Sequence, residues 1–197
     1  IALPAWKLAP ALVSGNTVVM KPASMAPALT LEIAKAFEEA GLPKGVLNVV
    51  VGSGKEVGDE LATNPTVQAL SFTGSHEVGS GIYQQLAPRM ARAQMEMGGK
   101  NPTIVLADAD LDYAAKIVAM AGFMMTGQVC TATSRAIVDE KVADEFTEKL
   151  VAEAKARNVG NGMQEGITMG PAVCASELEG NLDYVKIAQE EGAELCW

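Results

Sequence analysis

The chain has 197 residues, enough for one well-packed domain or parts of two; 49% are hydrophobic and 20% charged, which excludes a disordered polymer. Its formal net charge of −9 argues against nucleic acid or an anionic membrane as the main partner. No apolar run is long enough to span a bilayer. Three widely spaced cysteines, Cys130, Cys174 and Cys196, suggest neither a disulfide framework nor a zinc site, and fit a reducing, cytoplasmic compartment.

In chain order, the opening IALPAWKLAPAL lacks the charged region of a signal peptide. GNTVVMKPA reads as a short buried strand around Val18, Val19 and Met20, halted by Pro22. A helix follows in ALTLEIAKAFEEAGLP, where Leu29, Ile33, Ala36 and Phe37 recur at helical spacing and Gly41 with Pro43 supplies the stop. GVLNVVVG is the next strand, SGKEVGDELATNP a glycine-opened turn into a short helix, VQALSFTG a third strand, SHEVGSGIYQQLAP a third helix, and RAQMEMGG a fourth strand. Such alternation implies parallel strands with helical crossovers, an α/β doubly wound sheet whose ligand lies at the carboxyl ends of the strands.

The pattern shifts near Gly98 and Gly99, and a domain boundary is expected there, dividing residues 1–98 from 99–197. NPTIVLADAD is a strand, Asp110 an N-cap for the helix LDYAAKIVAMAGFMM, GQVCTATS a loop, RAIVDE a strand and VADEFTEKLVAEAKAR an amphipathic helix. A glycine-rich loop, the helix ELEGNLDYVKIAQEEG and a stub, AELCW, read as a fresh strand, complete the chain. Both ends look cut, as expected of an internal piece of a longer chain.

Several side chains stand where chemistry is possible. GSGKEVG sets Gly52, Gly54 and Gly58 between a strand and a helix, near the dinucleotide fingerprint but one residue too long in its last interval. In FTGSHEVG, Ser75 and the first helical amides can bind a phosphate, or Ser75 is simply an N-cap. Lys21 ends a strand, where it reaches a ribose or phosphate or stands solvated at the surface. His76, the one histidine, cannot build a multi-histidine metal site and reads as a surface residue; no metal is expected. Cys130, in a loop after a helix, is either an exposed nucleophile or a structural thiol. Glu96 ends an apolar strand before two glycines; it is either a partly desolvated carboxylate suited to general-base work or an edge residue facing water. Cys174 and Cys196 read as structural.

MEMGGKNP and GQVCTATSR, about 30 residues apart, resemble the two signature motifs of the aldehyde dehydrogenase superfamily. PAWKLAPALVSGNTVVMKPAS, AGLPKGVLNVVVGSGKEVG and ALSFTGSHEVG match that family's cofactor-domain pattern in the same order, so the resemblance covers essentially the whole chain. It implies the latter part of a Rossmann-like cofactor domain joined to the early part of an α/β catalytic domain. It implies Cys130 as the nucleophile forming a thioester, Glu96 as the base that activates water, and an oxyanion held partly by the Cys130 N–H. Lys21 resembles the ribose contact and Ser75 the pyrophosphate contact. Gly74 and Gly79 shape that turn, Gly54 and Gly58 mark the other, and Met97 lies beside the cofactor. Gly98 and Gly99 let the backbone pass close to it.

Two positions depart from the family pattern. Ser24 stands where many NAD-using members carry a glutamate on the ribose hydroxyls. Serine does not repel a 2′-phosphate, so NADP is expected to be accepted alongside NAD. Val129 replaces an arginine that some relatives use for carboxylate-bearing semialdehydes, while Met124 and Met125 suggest a flexible apolar wall. The oxyanion-hole asparagine is expected before Ile1, and a second glutamate, the remaining catalytic domain and the subunit-joining strand after Trp197. The isolated chain is therefore expected to be inactive, and the full-length protein to be a homodimer or homotetramer acting on a small-molecule aldehyde. A fold retained for a non-catalytic role, and an acylating relative that uses coenzyme A, are the alternatives. Retention of Cys130 with Glu96 disfavours the first, and a hydrolytic base disfavours the second.

Overall fold

The computed structural model describes all residues, Ile1–Trp197. The chain divides into two units, Ile1–Met97 and Gly98–Trp197.

The first unit begins with helix α1, Ala2–Val13, whose Leu8 is buried. Gly15, at φ +80°, turns the chain out of it. Strand β1, Val18–Met20, pairs in parallel with β2, Leu47–Val49. Helix α2, Ala28–Glu39, makes the crossover between them. It ends on Gly41 at φ +88°, with the Gly41 and Leu42 amides returning to the Glu38 and Phe37 carbonyls. That is the left-handed C-terminal cap for which glycine is the cheapest residue.

After β2, a π-helical turn, Gly54–Gly58, runs into the short helix α3, Asp59–Thr63. Strand β3, Ala69–Gly74, then crosses through α4, His76–Leu86, to β4, Arg92–Met97, again in parallel. Register sets Leu70, Phe72, Ala93, Met95 and Met97 on one face of this pair and Ser71, Thr73, Gln94 and Glu96 on the other. The apolar face receives α4. A Cβ added at Gly79 would stand 2.6 Å from Met97 Sδ and 3.3 Å from Phe72 Cδ1, so a larger residue there would have to displace the Met97 side chain.

The α/β alternation and the parallel pairing follow the expected pattern. A continuous sheet does not form in this unit: β1–β2 and β3–β4 are separate two-stranded ladders. Each crossover helix closes its own pair, while the link from β2 to β3 passes through a turn and α3 without joining the ladders.

In the second unit β5, Asn101–Val105, pairs in parallel with β6, Thr133–Val138, with a register shift between Asn101 and Pro102. Helix α5, Leu111–Phe123, crosses between them, and Asp110 caps it by accepting the Tyr113 N–H at 3.1 Å. Helix α6, Ala143–Lys155, packs on α5. Val105, Ala115, Val118 and Phe146 are the buried centre, with Phe146 only 2% exposed. Helix α7, Ala175–Glu190, buries none of its residues.

The structure departs from the sequence reading in several places: α1 forms where no helix is expected, β2 stops at Val49, and β6 begins at Thr133 inside the expected loop. The expected helix through Met125 ends at Phe123, because Met125 and Thr126 take positive φ values of 51° and 60°. The AELCW stub is not a strand: residues 193–197 join no sheet, the Ala193 N–H returns to the Ala188 carbonyl of α7, and Trp197 is exposed.

Candidate active site

The residues expected to meet a cofactor lie at the carboxyl ends of β1, β2, β3 and β4 and in the first turn of α4. The Lys21 ammonium donates to the Pro22 carbonyl at 2.8 Å and to the Gly52 carbonyl at 3.5 Å. The Ser24 hydroxyl donates to the same Gly52 carbonyl at 3.3 Å. Two donors, one cationic and one neutral, thus converge on the turn after β2. Gly52 belongs there because a Cβ would stand 2.4 Å from Val57 Cγ2. Gly54 and Gly58 lie inside the π-helical turn, where an added Cβ meets open space. Ser53 holds that turn, accepting the Glu56 N–H at 3.1 Å and donating to Glu56 Oε2 at 3.0 Å.

At the end of β3, Ser75 is the N-cap of α4 and accepts the Val78 N–H at 3.3 Å. Gly74 precedes it, and a Cβ there would strike Phe72 Cζ at 2.4 Å. The exposed His76 lies 3.4 Å from the Ser80 hydroxyl, within its own helix. Gly79, Ser80, Tyr83, Gln84, Met95 and Met97 line an open groove of about 440 Å³ between α4 and β4. An ammonium, the Ser75 hydroxyl and the free amides of a helix start are donors that phosphate and ribose oxygens accept. The residues present therefore fit a dinucleotide.

Glu96 is the penultimate residue of β4, in the same unit. Its side chain is exposed, which corrects the expectation of a desolvated carboxylate: it stands on the polar face of the β3–β4 pair, away from α4. Gln94 Nε2 donates to Glu96 Oε1 at 3.5 Å. Gln94 Oε1 accepts the Ser71 hydroxyl at 2.6 Å, and Ser71 Oγ accepts the Lys7 ammonium of α1 at 2.8 Å. Burial holds the Lys7 ammonium below the usual lysine range, opposed by the attraction of Glu96. None of Lys7, Ser71 and Gln94 stands out singly in the sequence. The signal is an alternation of polar with apolar residues, Ser71 and Thr73 on one strand against Arg92, Gln94 and Glu96 on the next.

Cys130 belongs to the second unit, exposed and free. It sits at the second position of a turn closed by the Ala132 N–H on the Val129 carbonyl at 3.0 Å. That bond pins the Val129–Cys130 peptide, and trans geometry aims the Cys130 N–H to the opposite side. Asn101 Nδ2 donates to the Cys130 carbonyl at 2.9 Å and to the Ala132 carbonyl at 3.1 Å. One side chain at the start of β5 thus clamps the turn that carries the thiol.

The approach to Cys130 is strained. Met125, Thr126 and Gly127 all have positive φ, 51°, 60° and 70°, and for a β-branched residue such as Thr126 this is a genuine outlier. Cross-links to the 170–173 segment hold it: Thr126 Oγ1 donates to the Gly170 carbonyl at 2.6 Å, and Gln128 Oε1 accepts the Val173 N–H at 3.0 Å. Met124 and Met125 stand exposed beside this bend, 52% and 58%. Cys174 follows the tethered segment as the residue before α7. A hydrogen bond with the Ser176 hydroxyl, 3.1 Å away, and the α7 amides hold its thiol below the ordinary range.

Parallel strand pairs with helical crossovers, and capped turns at their carboxyl ends, define an α/β protein of the Rossmann-like class. The model of the aldehyde dehydrogenase family matches residues 1–197, and the chain belongs to that family. It is 54% identical over 195 residues to an alpha-ketoglutarate semialdehyde dehydrogenase of Haloferax volcanii, covering 99% of this chain and 40% of that protein. It is 45% identical over 190 residues to a betaine aldehyde dehydrogenase of Bacillus subtilis, covering 96% and 39%. Among solved structures it matches a betaine aldehyde dehydrogenase from Staphylococcus aureus in complex with NAD+, with TM-score 0.95, 36% identity, and 98% and 38% of the two chains covered. It also matches 3,6-anhydro-L-galactose dehydrogenase in complex with NADP, with TM-score 0.95, 42% identity, and 100% and 41% covered. The chain spans about 40% of the length of the curated relatives it matches.

Proposed function

We propose that this chain supplies the nucleophile, the general base and much of the cofactor cradle of an NAD(P)-dependent aldehyde dehydrogenase. The observation that carries the reading is the pinned turn at Cys130: an exposed thiol whose preceding peptide is fixed by the Ala132 N–H and whose following peptide is fixed by Asn101. A buried structural thiol needs neither the exposure nor the clamp.

In this reading the Cys130 thiolate attacks the aldehyde carbon, forming the carbon–sulfur bond and a tetrahedral oxyanion. The Cys130 N–H, aimed by the turn, donates to that oxyanion. When bound, the nicotinamide supplies the hydride acceptor, and loss of hydride leaves a thioester on Cys130. Glu96 takes a proton from water, which adds to the thioester carbon; breakage of the carbon–sulfur bond releases the carboxylate and restores the thiolate. Lys21 would hold a ribose, and Ser75 with the first amides of α4 the pyrophosphate. Gly74 and Gly79 keep that turn close to its strands, Gly54 and Gly58 belong to the neighbouring turn, and Met97 would lie beside the cofactor.

Ser24 places a neutral donor beside Lys21, so a 2′-phosphate meets no carboxylate from this side chain. NADP is therefore accepted. A strong preference for NAD in kcat/KM, measured on the full-length enzyme, would defeat that reading.

Alpha-ketoglutarate semialdehyde is the first substrate to test, on the strength of the 54% identical relative. With Val129 beside the nucleophile, any anchor for its carboxylate lies on other residues. The isolated 197-residue chain is inactive in this reading, and aldehyde-dependent NAD(P)H production by it would overturn that. Cys130→Ala in the full-length enzyme abolishes turnover; surviving turnover would remove Cys130 from its role.

A further inference from the structure

From the run of hydrogen bonds Lys7–Ser71–Gln94–Glu96 we infer that Ser71 and Gln94 are positioning residues for the general base, tethering the Glu96 carboxylate to the α1 ammonium across the polar face of β3–β4. The inference rests on the reading of Glu96 as the base.

Every donor in the run points the same way. Lys7 Nζ donates to Ser71 Oγ at 2.8 Å, Ser71 Oγ to Gln94 Oε1 at 2.6 Å, and Gln94 Nε2 to Glu96 Oε1 at 3.5 Å. Lysine has no acceptor, so Ser71 must accept from it and spend its single proton on Gln94. That fixes the Gln94 amide, with its oxygen towards Ser71 and its NH₂ towards Glu96. The dipoles line up from a cation to a carboxylate, the arrangement in which linked hydrogen bonds reinforce one another.

The geometry comes from register. Ser71 lies opposite Gln94 and Thr73 opposite Glu96 on parallel strands, so all four share one face. The buried Thr73 hydroxyl has no partner and does not compete for Glu96. Gln94 is thus the side chain that holds Oε1, and Oε2 remains to take a proton from water. The ionisable groups facing Glu96 are Lys7 from α1 and Arg92 on β4 itself; β3 presents none. Lys7 alone of these enters the run.

The test is pre-steady-state NAD(P)H formation by the full-length enzyme, with wild type, Ser71→Ala, Ser71→Thr, Gln94→Ala, Lys7→Met and Glu96→Gln compared. Ser71→Ala, Gln94→Ala and Lys7→Met each slow thioester hydrolysis about tenfold, a fraction of the ~10²–10⁴-fold given by a placed general base. The first, hydride-yielding turnover stays within about twofold of wild type in each variant, so a burst of one NAD(P)H per site precedes slow turnover. Ser71→Thr keeps the hydroxyl and restores hydrolysis, whereas a merely structural loss would slow both phases together. Lys7→Met reads the run from its α1 end without altering either strand. Hydrolysis unchanged in Ser71→Ala and Gln94→Ala, or both phases slowed alike, would overturn the proposal. The Glu96→Gln arm separates the two failures. If hydrolysis survives there, the base assignment falls; if it is lost there but kept in Ser71→Ala and Gln94→Ala, only the tether falls.

Discussion

Asn101→Ala removes the clamp on the turn that carries Cys130. The side chain makes two neutral hydrogen bonds, 2.9 Å to the Cys130 carbonyl and 3.1 Å to the Ala132 carbonyl. Such bonds contribute about 0.5–1.5 kcal/mol each. Cys130 is exposed and Ala132 half-buried, so water recovers part of the loss, and about 1–2 kcal/mol remains. The turn follows three residues of positive φ, whose strain favours relaxation once the clamp is gone. If that free energy is lost from the acylation transition state, the first turnover slows by roughly 5- to 30-fold. Asn101→Asp sharpens the test. A carboxylate has the same shape but cannot donate, and it sets negative charge against two carbonyl oxygens, so it slows acylation more than alanine does. Stopped-flow NAD(P)H formation on the full-length enzyme measures this. Wild-type acylation in Asn101→Ala, or an aspartate variant as fast as wild type, would refute the reasoning.

Three further outcomes are expected. Phe146→Ala, which empties the centre of the Val105–Ala115–Val118 cluster, destabilises the second unit by about 3–5 kcal/mol in denaturant unfolding. Cys174, its thiol lowered by the Ser176 hydroxyl and the α7 amides, reacts with iodoacetamide at a lower pH than Cys174 in a Ser176→Ala variant, as peptide mass spectrometry of the labelled site will read. Lys149 of α6 has its pKa raised by its hydrogen bond to Asp112 of α5 and by the nearby Glu145 carboxylate. Its contribution to stability is complete below the ordinary lysine pKa and fades as pH rises through the raised value. Asp112→Asn therefore lowers Tm near neutral pH, and its deficit from wild type shrinks in strong alkali.

Much of the fold was legible because local signals agreed with tertiary demand. Gly41 marks the end of α2 through its positive φ, Asp110 and Ser75 mark helix starts through their side-chain caps, and the apolar runs at β1 to β4 become strands. What stayed hidden depends on neighbours distant in sequence. The helix expected through Met125 gives way instead to a left-handed run from Met125 to Gly127, tied to distant residues by the Thr126–Gly170 and Gln128–Val173 bonds. The AELCW stub has a strand's composition but no strand beside it to pair with. Cys130, Glu96, Lys21 and Ser75 were identifiable through motifs, whereas their supports were not. Asn101 reaches Cys130 from 29 positions away, and Lys7 reaches Ser71 across 64; no local pattern announces such contacts.

The most direct test of the account is the NAD(P)H time course of the full-length enzyme carrying Cys130→Ala or Glu96→Gln, with alpha-ketoglutarate semialdehyde as substrate. Cys130→Ala yields no aldehyde-dependent NAD(P)H, and Glu96→Gln yields about one equivalent per site before turnover slows by ~10²-fold or more. Sustained turnover by Cys130→Ala, or a Glu96→Gln enzyme that cycles at the wild-type rate, would contradict it.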